Sequence, residues 1–252
     1  MPDHPTISLI VITRNEQELI GQCLKSAWFC DEMIVVDSFS TDATVEIAKS
    51  LGAKVYQHEF TDYVRQKQMA LDRASSDWVL LMDADEQATH DLGVEIRAAV
   101  ASPGAADGYR IRRILYHLGH YFSHGLYPDR PVRLFRRSRG HIGGRDPHDK
   151  VVVEGSVGQL AHPILHFSYR DVADHVATIN RFSTRAAMEQ EPTALTAIRM
   201  FTNPAWRFFN FYFLRGGFRE GGRGLYASMS AAFYVFLKYA KLYERKLKAR
   251  RL

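Results

Sequence analysis

Cysteine is scarce in this chain of 252 residues, which carries only Cys23 and Cys30. The two fall about two turns apart on one predicted helix, too far for a disulfide. A disulfide-stapled scaffold is therefore excluded, and both read as reduced core residues. No charged-then-apolar leader follows the first methionine, and the apolar run at residues 7–12 is short, so no secretory signal is read and a cytoplasmic location is expected. Low-complexity tracts and internal repeats are also missing. With hydrophobic residues at 46% and aromatics at 12%, disorder is excluded as well. Glycine is absent from the turn after the first predicted strand, Thr13-Arg14-Asn15-Glu16, where a dinucleotide-binding fold needs it, and no G-x-x-x-x-G-K-[ST] loop occurs anywhere. The same missing glycine-rich loop argues against a nucleotidyltransferase. The longest uncharged stretch near the C-terminus, residues 224–237, has 14 residues, short of the roughly 20 that cross a bilayer.

What the chain does have is a strong asymmetry of charge. Before Gly108 there are 18 acidic against 8 basic side chains, and from Gly108 onward 10 against 25. A basic half of this kind suits an anionic surface, nucleic acid and acidic lipid alike. No recognised nucleic-acid module accompanies it, and nucleic acid is not the expected partner.

Apolar, β-branched runs at residues 7–13, 33–37, 53–56 and 78–82 predict buried strands. Helical patterns at 18–28, 41–51 (with Thr41 as N-cap) and 63–74 separate them. This alternation predicts an α/β fold with a parallel sheet. Beyond Gly108, runs at 109–116, 132–136, 150–153 and 165–169 predict mixed or antiparallel strands, giving a mixed sheet with helices on both faces. From Asp171 on, helical periodicity continues with breaks expected at Pro192, Pro204, Gly216-Gly217 and Gly221-Gly222. The expected division is a catalytic domain over residues 1–170 and a helical, basic and aromatic region over 171–252.

In an open parallel sheet the ligand crevice lies beyond the carboxyl ends of the strands. That rule selects Arg14-Asn15-Glu16, Asp37-Ser38-Phe39-Ser40 and Asp83-Ala84-Asp85-Glu86, each mostly polar. The carboxylates of Asp83 and Asp85 are hard oxygen ligands suited to Mn or Mg. A cation held by one or two carboxylates completes its shell with water and substrate phosphates, so a diphosphate is the natural partner. Taken alone, each of these residues also fits a solvated strand-to-helix turn.

Four stretches, residues 7–16 (ISLIVITRNE), 34–45 (IVVDSFSTDATV), 66–74 (QKQMALDRA) and 77–86 (DWVLLMDADE), resemble the family 2 glycosyltransferases of GT-A (Rossmann-like) fold. Residues 131–137 (PVRLFRR), 147–153 (PHDKVVV), 166–170 (HFSYR) and 231–242 (AAFYVFLKYAKL) look like the lipopolysaccharide-core heptose β-1,4-glucosyltransferase branch. The resemblance implies a metal-dependent, inverting hexosyl transfer from a UDP-sugar, UDP-glucose by preference, to a lipid-linked or lipopolysaccharide-core saccharide at the cytoplasmic face of the inner membrane. It also implies that Thr13, Glu16 and Asp37, with the adjoining Arg14, hold base and ribose. Lys67 would lie near the donor phosphates and Asp83 on ribose or metal. Asp85 would be the principal metal ligand and His166 an additional one.

An acceptor hydroxyl attacking the anomeric carbon needs a base across the sugar from the diphosphate. The loop Gly143-Gly144-Arg145-Asp146-Pro147-His148-Asp149 offers Asp146 and Asp149. The branch places an acidic residue, usually glutamate, after a histidine here, which favours Asp149. His148 would orient the acceptor. Arg130 and Arg133, with Arg136 and Arg137, are candidates for acceptor phosphates. Finally, residues 205–252 combine Trp206, Phe208, Phe209, Phe211, Tyr212 and Phe213 with a terminal Lys/Arg run, a composition expected of a segment lying on a membrane surface.

Overall fold

The computed structural model describes residues 4–125, 129–145 and 148–249. In chain order its elements are β1 (Ile7–Thr13), α1 (Ile20–Ser26), β2 (Glu32–Asp37), α2 (Thr44–Ser50), β3 (Lys54–Gln57), α3 (Tyr63–Asp72), β4 (Trp78–Asp83), β5 (Glu86–Ala88), α4 (His90–Ala101), β6 (Gly108–His117), β7 (His120–Tyr121), β8 (Val132–Arg136), β9 (Gly140–Arg145), β10 (His148–Val153), β11 (Val157–His166), α5 (Val172–Met188), α6 (Thr196–Phe209) and α7 (Gly221–Ala249). The described residues form two compact units. One runs through Arg113 and resumes from Asp129 to His166, and the other comprises residues 114–125 and 167–249.

In the first unit the strands lie in the order β3-β2-β1-β4-β8-β6-β11-β5. The four from β3 to β4 are parallel, whereas β8 is antiparallel to β4 and to β6, and β11 to β5. Strands β9 and β10 make a separate antiparallel pair. Because β1 is central and covered on both faces, Ile7, Leu9, Ile10 and Val11 are all fully buried, which is why it reads as an unbroken apolar run. Its alternate residues serve opposite faces. Leu9 and Val11, with Leu80 and Met82, pack with Ile20 and Leu24 of α1 and with Leu92 and Ile96 of α4. Ile10, with Val79 and Leu81, packs with Ala70 and Leu71 of α3. Each such side chain contributes about 1.5–3 kcal/mol. Helix α4 can approach Phe29 closely because Gly93 has no side chain, and a Cβ there would stand 2.5 Å from the ring.

The parallel register decides where the site forms. Thr13 lies beside Asp37, and Ile12 beside Asp83, so the carboxyl ends of three strands share one rim.

Several local expectations are corrected. Helix α1 ends at Ser26, so Cys30 lies beyond it, and both thiols are free. Helix α2 begins at Thr44 rather than behind a Thr41 cap, because the Thr41 N–H donates to Asn15 Oδ1 (2.8 Å) while Asp42 Oδ1 accepts from Thr44 N (3.0 Å). The strand expected over 165–169 is the end of the longer β11, which stops at His166. Strand β9 is glycine-rich and gives little β signal of its own. Its pairing with β10 supplies what its side chains do not.

In the second unit α7 buries Gly224, Ala227, Ser228, Ala232, Val235 and Leu242 along one stripe and packs against α5 and α6. Lys241 Nζ donates to Asn180 O (2.7 Å), Ser183 Oγ (2.8 Å) and Thr184 Oγ1 (2.7 Å). Arg245 Nη1 donates to the carbonyls of Ala187 (2.5 Å) and Gln190 (3.1 Å) at the end of α5, where a cation also suits the helix dipole. The break expected at Pro204 does not occur. Helix α6 continues through it, and the chain turns later, in the π-helical segment Asn210–Leu214 and at left-handed Gly216. Gly221 and Gly222 begin α7 rather than interrupt a helix. Among the described residues no helix is long and apolar enough to cross a membrane.

Candidate active site

The loops after β1 and β2 are locked to each other. Asn15 and Phe39 both adopt left-handed backbone (φ 56°), a conformation Asn tolerates and Phe does not favour. Asn15 N donates to Ser40 Oγ (2.8 Å), Glu16 N to Thr44 Oγ1 (2.8 Å), and Ala43 N to Gln17 Oε1 (3.0 Å). Asp37, fully buried, accepts from Ser40 N (2.9 Å) and the Ser40 hydroxyl. This carboxylate, expected on a ribose, here shapes the β2 loop. Arg14 is exposed and Glu16 half-buried. Thr13 Oγ1 is buried at the strand end with no hydrogen-bond partner among the described residues. An unpaired buried hydroxyl is costly, and a bound ligand at this rim would satisfy it.

Asp83 ends β4 and is held by cations on both oxygens, with Lys67 Nζ 2.9 Å from Oδ1 and Arg133 Nη2 2.9 Å from Oδ2. Arg113 Nη1 stands 3.8 Å away. Burial opposes charge on this carboxyl, but Lys67, Arg133 and Arg113 together keep its pKa well below the usual range. Behind it, fully buried Glu86 accepts from Arg133 (2.7 Å), Arg113 (3.2 Å) and the Asp83 N–H (2.9 Å), and Asp129 accepts from Arg113 (2.7 Å). Glu86 was read only as part of a polar turn, and Arg113 and Asp129 were not singled out in the sequence. The available signal was the basic alternation in YRIRR, out of place in a buried strand.

Asp85 stands apart from this network. Its Oδ2 is 3.1 Å from His166 Nε2, the two brought together by the pairing of β11 with β5 at His166 and Glu86. Burial alone would push the imidazole pKa down, yet the adjacent Asp85 carboxylate turns the shift upward.

Lys67, from α3, reaches Asp149 on β10 as well, with Nζ 2.8 Å from Oδ2. Its side chain is only 5% exposed. Burial disfavours the ammonium, but Asp83 and Asp149 reverse the effect and raise its pKa. The residue expected near donor phosphates therefore joins two carboxylates from separate parts of the chain. The preceding Gln66 fixes α3 in the same place, donating to Ser38 Oγ (3.1 Å) and His58 O (3.3 Å).

The basic candidates divide. Arg130 is exposed. Arg133 is buried, and its Nη2 donates to Asp83 and Glu86, while its buried Nε has no hydrogen-bond partner among the described residues. Arg136 pairs with Trp78 in register at the opposite end of β4 from Asp83, about 16 Å along the strand. Arg137 donates there to Ser76 O (2.9 Å). Neither reaches the rim. Asp146 and the His148 side chain lie outside the described residues.

Residues 8–153 match the pattern of Glycosyl transferase family 2. The Rhizobium meliloti (strain 1021) protein named lipopolysaccharide core biosynthesis glycosyltransferase LpsC is 31% identical, covering 97% of this chain and 94% of its own length. A glycosyltransferase of Rickettsia felis is 33% identical, covering 97% of this chain and 92% of its own. Among solved structures, S. aureus TarS 1-349 in complex with UDP-GlcNAc superimposes with a TM-score of 0.51 at 14% identity, covering 98% of this chain and 92% of that one. That likeness is one of fold, and it makes the mixed sheet a GT-A fold. The matched stretch contains the rim, the cations that brace it and Asp149, and the chain belongs to glycosyl transferase family 2.

Proposed function

We propose that this glycosyltransferase moves a hexose, with inversion, from a UDP-sugar to a hydroxyl of a lipid-linked or lipopolysaccharide-core saccharide at the cytoplasmic face of the inner membrane. The observation that carries the reading is the Lys67 ammonium held between Asp83 (2.9 Å) and Asp149 (2.8 Å). It supports a single site shared by the D-x-D turn and the acid of β10. The name of the Rhizobium relative supports the acceptor class, and the UDP-GlcNAc complex of TarS supports the donor class.

The residues present fit a divalent cation. Asp85 and His166 offer an oxygen and a nitrogen 3.1 Å apart, and Asp85 is 25% exposed. Among the described residues no cluster of three His, Cys, Asp or Glu side chains has metal-holding geometry. Two protein ligands completed by substrate oxygens and water is the usual arrangement for Mg, and diphosphate is the natural third party. When bound there, the ion supplies charge neutralisation to the departing diphosphate.

The chain's own groups account for the rest. Asp149 takes the proton of the acceptor hydroxyl as its oxygen bonds to the anomeric carbon. The bond from that carbon to the diphosphate oxygen breaks, and UDP leaves with the electron pair. Lys67 holds the Asp149 carboxylate in place before transfer. Asp83, pinned by Lys67 and Arg133, presents a fixed acceptor of hydrogen bonds to the donor, while Thr13 offers its unpaired hydroxyl.

A thermal-shift screen of UDP, GDP and CMP with and without Mn tests the donor reading, since a ligand bound only by the folded state raises its melting point. A Mn-dependent rise with UDP alone is expected. No shift with any nucleotide at millimolar concentration would remove the reading.

A further inference from the structure

Helix α6 is mostly apolar, yet of its 14 residues Thr196 is the one that is buried. Its outward arc carries Ile198, Phe201, Ala205, Trp206 and Phe209, with Thr202 among them, which at 100° per residue fall within less than half a turn of the helix; the Thr202 hydroxyl turns back to Ile198 O. Phe201 is 66% exposed and Trp206 61%. The arc continues through Phe213 and Leu214 in the π-helical segment, both at least half exposed. Ring contacts Trp206–Phe209 (6.0 Å) and Phe209–Phe213 (5.3 Å) join the aromatics into one ridge. Phe211, expected on this surface from composition, instead turns inward. A contiguous apolar face of this kind on a folded protein marks an interaction surface.

Charge identifies the occupant. From Thr196 to Arg219 the chain carries Arg199, Arg207, Arg215 and Arg219 and no acidic residue. Beside the ridge, α6 and α7 border an open groove of about 410 Å³ lined by Asn203, Trp206, Arg207, Asn210, Lys238 and Tyr239, together with Val235. Two cations face this groove, and no ion pair to a carboxylate is made by either among the described residues. Burial and then the neighbouring Arg207 depress the Lys238 pKa, the response of a cation lacking a counter-charge.

We infer that the outer face of α6 lies in the interface of an anionic phospholipid bilayer, its aromatic ridge among the acyl chains and the Arg207–Lys238 groove holding a lipid phosphate. Apolar area and basic flanks act together in such helices. Depth is limited to the interface, because no described helix can span. This deepens the lipid-linked acceptor reading and rests on it only for the purpose of the contact.

The test is co-sedimentation of the full chain with vesicles of phosphatidylcholine alone and with phosphatidylglycerol added, alongside the UDP-dependent melting shift on the same preparations. Binding is expected to require phosphatidylglycerol and to weaken with salt. It should fall at least tenfold in Phe201→Glu/Trp206→Glu, and roughly fivefold in each of Arg207→Gln and Lys238→Gln, with the UDP shift unchanged. The conservative charge variants keep the test decisive if the double variant does not fold. Absence of vesicle binding, or binding indifferent to all of these changes, overturns the inference. So does a concentration-dependent dimer dispersed by the double variant, which would make a second copy the occupant, and so does inorganic phosphate stabilising the wild type but not Lys238→Gln without vesicle binding. Loss of the UDP shift with lipid binding retained would sink the donor reading instead.

Discussion

The two units bury charge and apolar surface in opposite ways. In the first, large aliphatic side chains fill both faces of the sheet, and charged groups sit deep in the rim, where Lys67, Arg133 and Glu86 are nearly or fully buried but each paired with an opposite charge. In the second, the helix contacts use small residues such as Gly224, Ala227 and Ala232, and the large aromatics of α6 face outward. A core that spends its apolar residues inward can pay for buried ions only if each is paired. A unit that leaves them outside presents an apolar face on which a partner can dock.

The comparison can be broken in several places. The largest effect is expected at the base. Asp149→Asn should lower kcat by about 10²–10⁴-fold while UDP affinity, read by calorimetry, stays near wild type. Turnover above a tenth of wild type would reject the assignment.

Next comes the core. Leu80, fully buried in β4, should cost about 2–5 kcal/mol on truncation to alanine, measured by urea unfolding.

Acid should then separate the units. Burial, reinforced by His117, lowers the His175 pKa from 6.5 to about 4. The unfolded state therefore binds the proton first, and stability of the helical unit falls as pH drops from 6.5 towards 4. In the first unit, burial opposes charge on Glu32, but Lys54, Ser8 and Ser75 bring its pKa down from 4.5 to about 2. That contribution persists to pH 4.5 and is lost only below it. Each effect is at most about 3 kcal/mol, and less to the extent that solvent screens the group. Circular dichroism and tryptophan emission followed through the titration should show the helical unit yielding first, and His175→Phe should delay it. Simultaneous loss in both would contradict the assignment.

Asp85→Ala should weaken Mn-dependent UDP binding by about tenfold and leave Mn-independent binding unchanged, by calorimetry with and without the metal. The smallest effect belongs to the exposed ridge, where Phe201→Ala should change the unfolding free energy by no more than about 0.5 kcal/mol. A much larger cost would mean that Phe201 is part of the unit's core.

Much of the architecture was legible because period and burial coincide. Strands β1 and β8 match their predicted spans, and β2, β3 and β4 differ by a residue or so. Helix α4 takes its cap from Thr89, whose Oγ1 accepts from Leu92 N (3.3 Å). What misled were residues whose role is not local. Pro204 ends no helix because losing one hydrogen bond is tolerated when α6 is held by α7, as by Asn203 Nδ2 donating to Tyr239 Oη (2.8 Å). Residues 114–125 belong with the helices, although β6 reads as one uninterrupted strand. Within the site, Asp83, Asp85, Lys67 and Asp149 were visible as residue types at strand and loop ends, but their pairing was not.

The sequence by itself determined that a parallel sheet would carry three acidic or polar turns to one rim, that no glycine-rich phosphate loop would be there, and that the C-terminal part would be basic and helical. Those properties follow from local periodicity and composition. Only the tertiary structure decided that Lys67 would bridge Asp83 and Asp149, that Arg133 would pair with Asp83 and Glu86, and that α6 would turn most of its aromatics outward. Each of these joins residues far apart in the chain, or depends on which face of an element a neighbour covers, and neither is encoded in spacing along the chain.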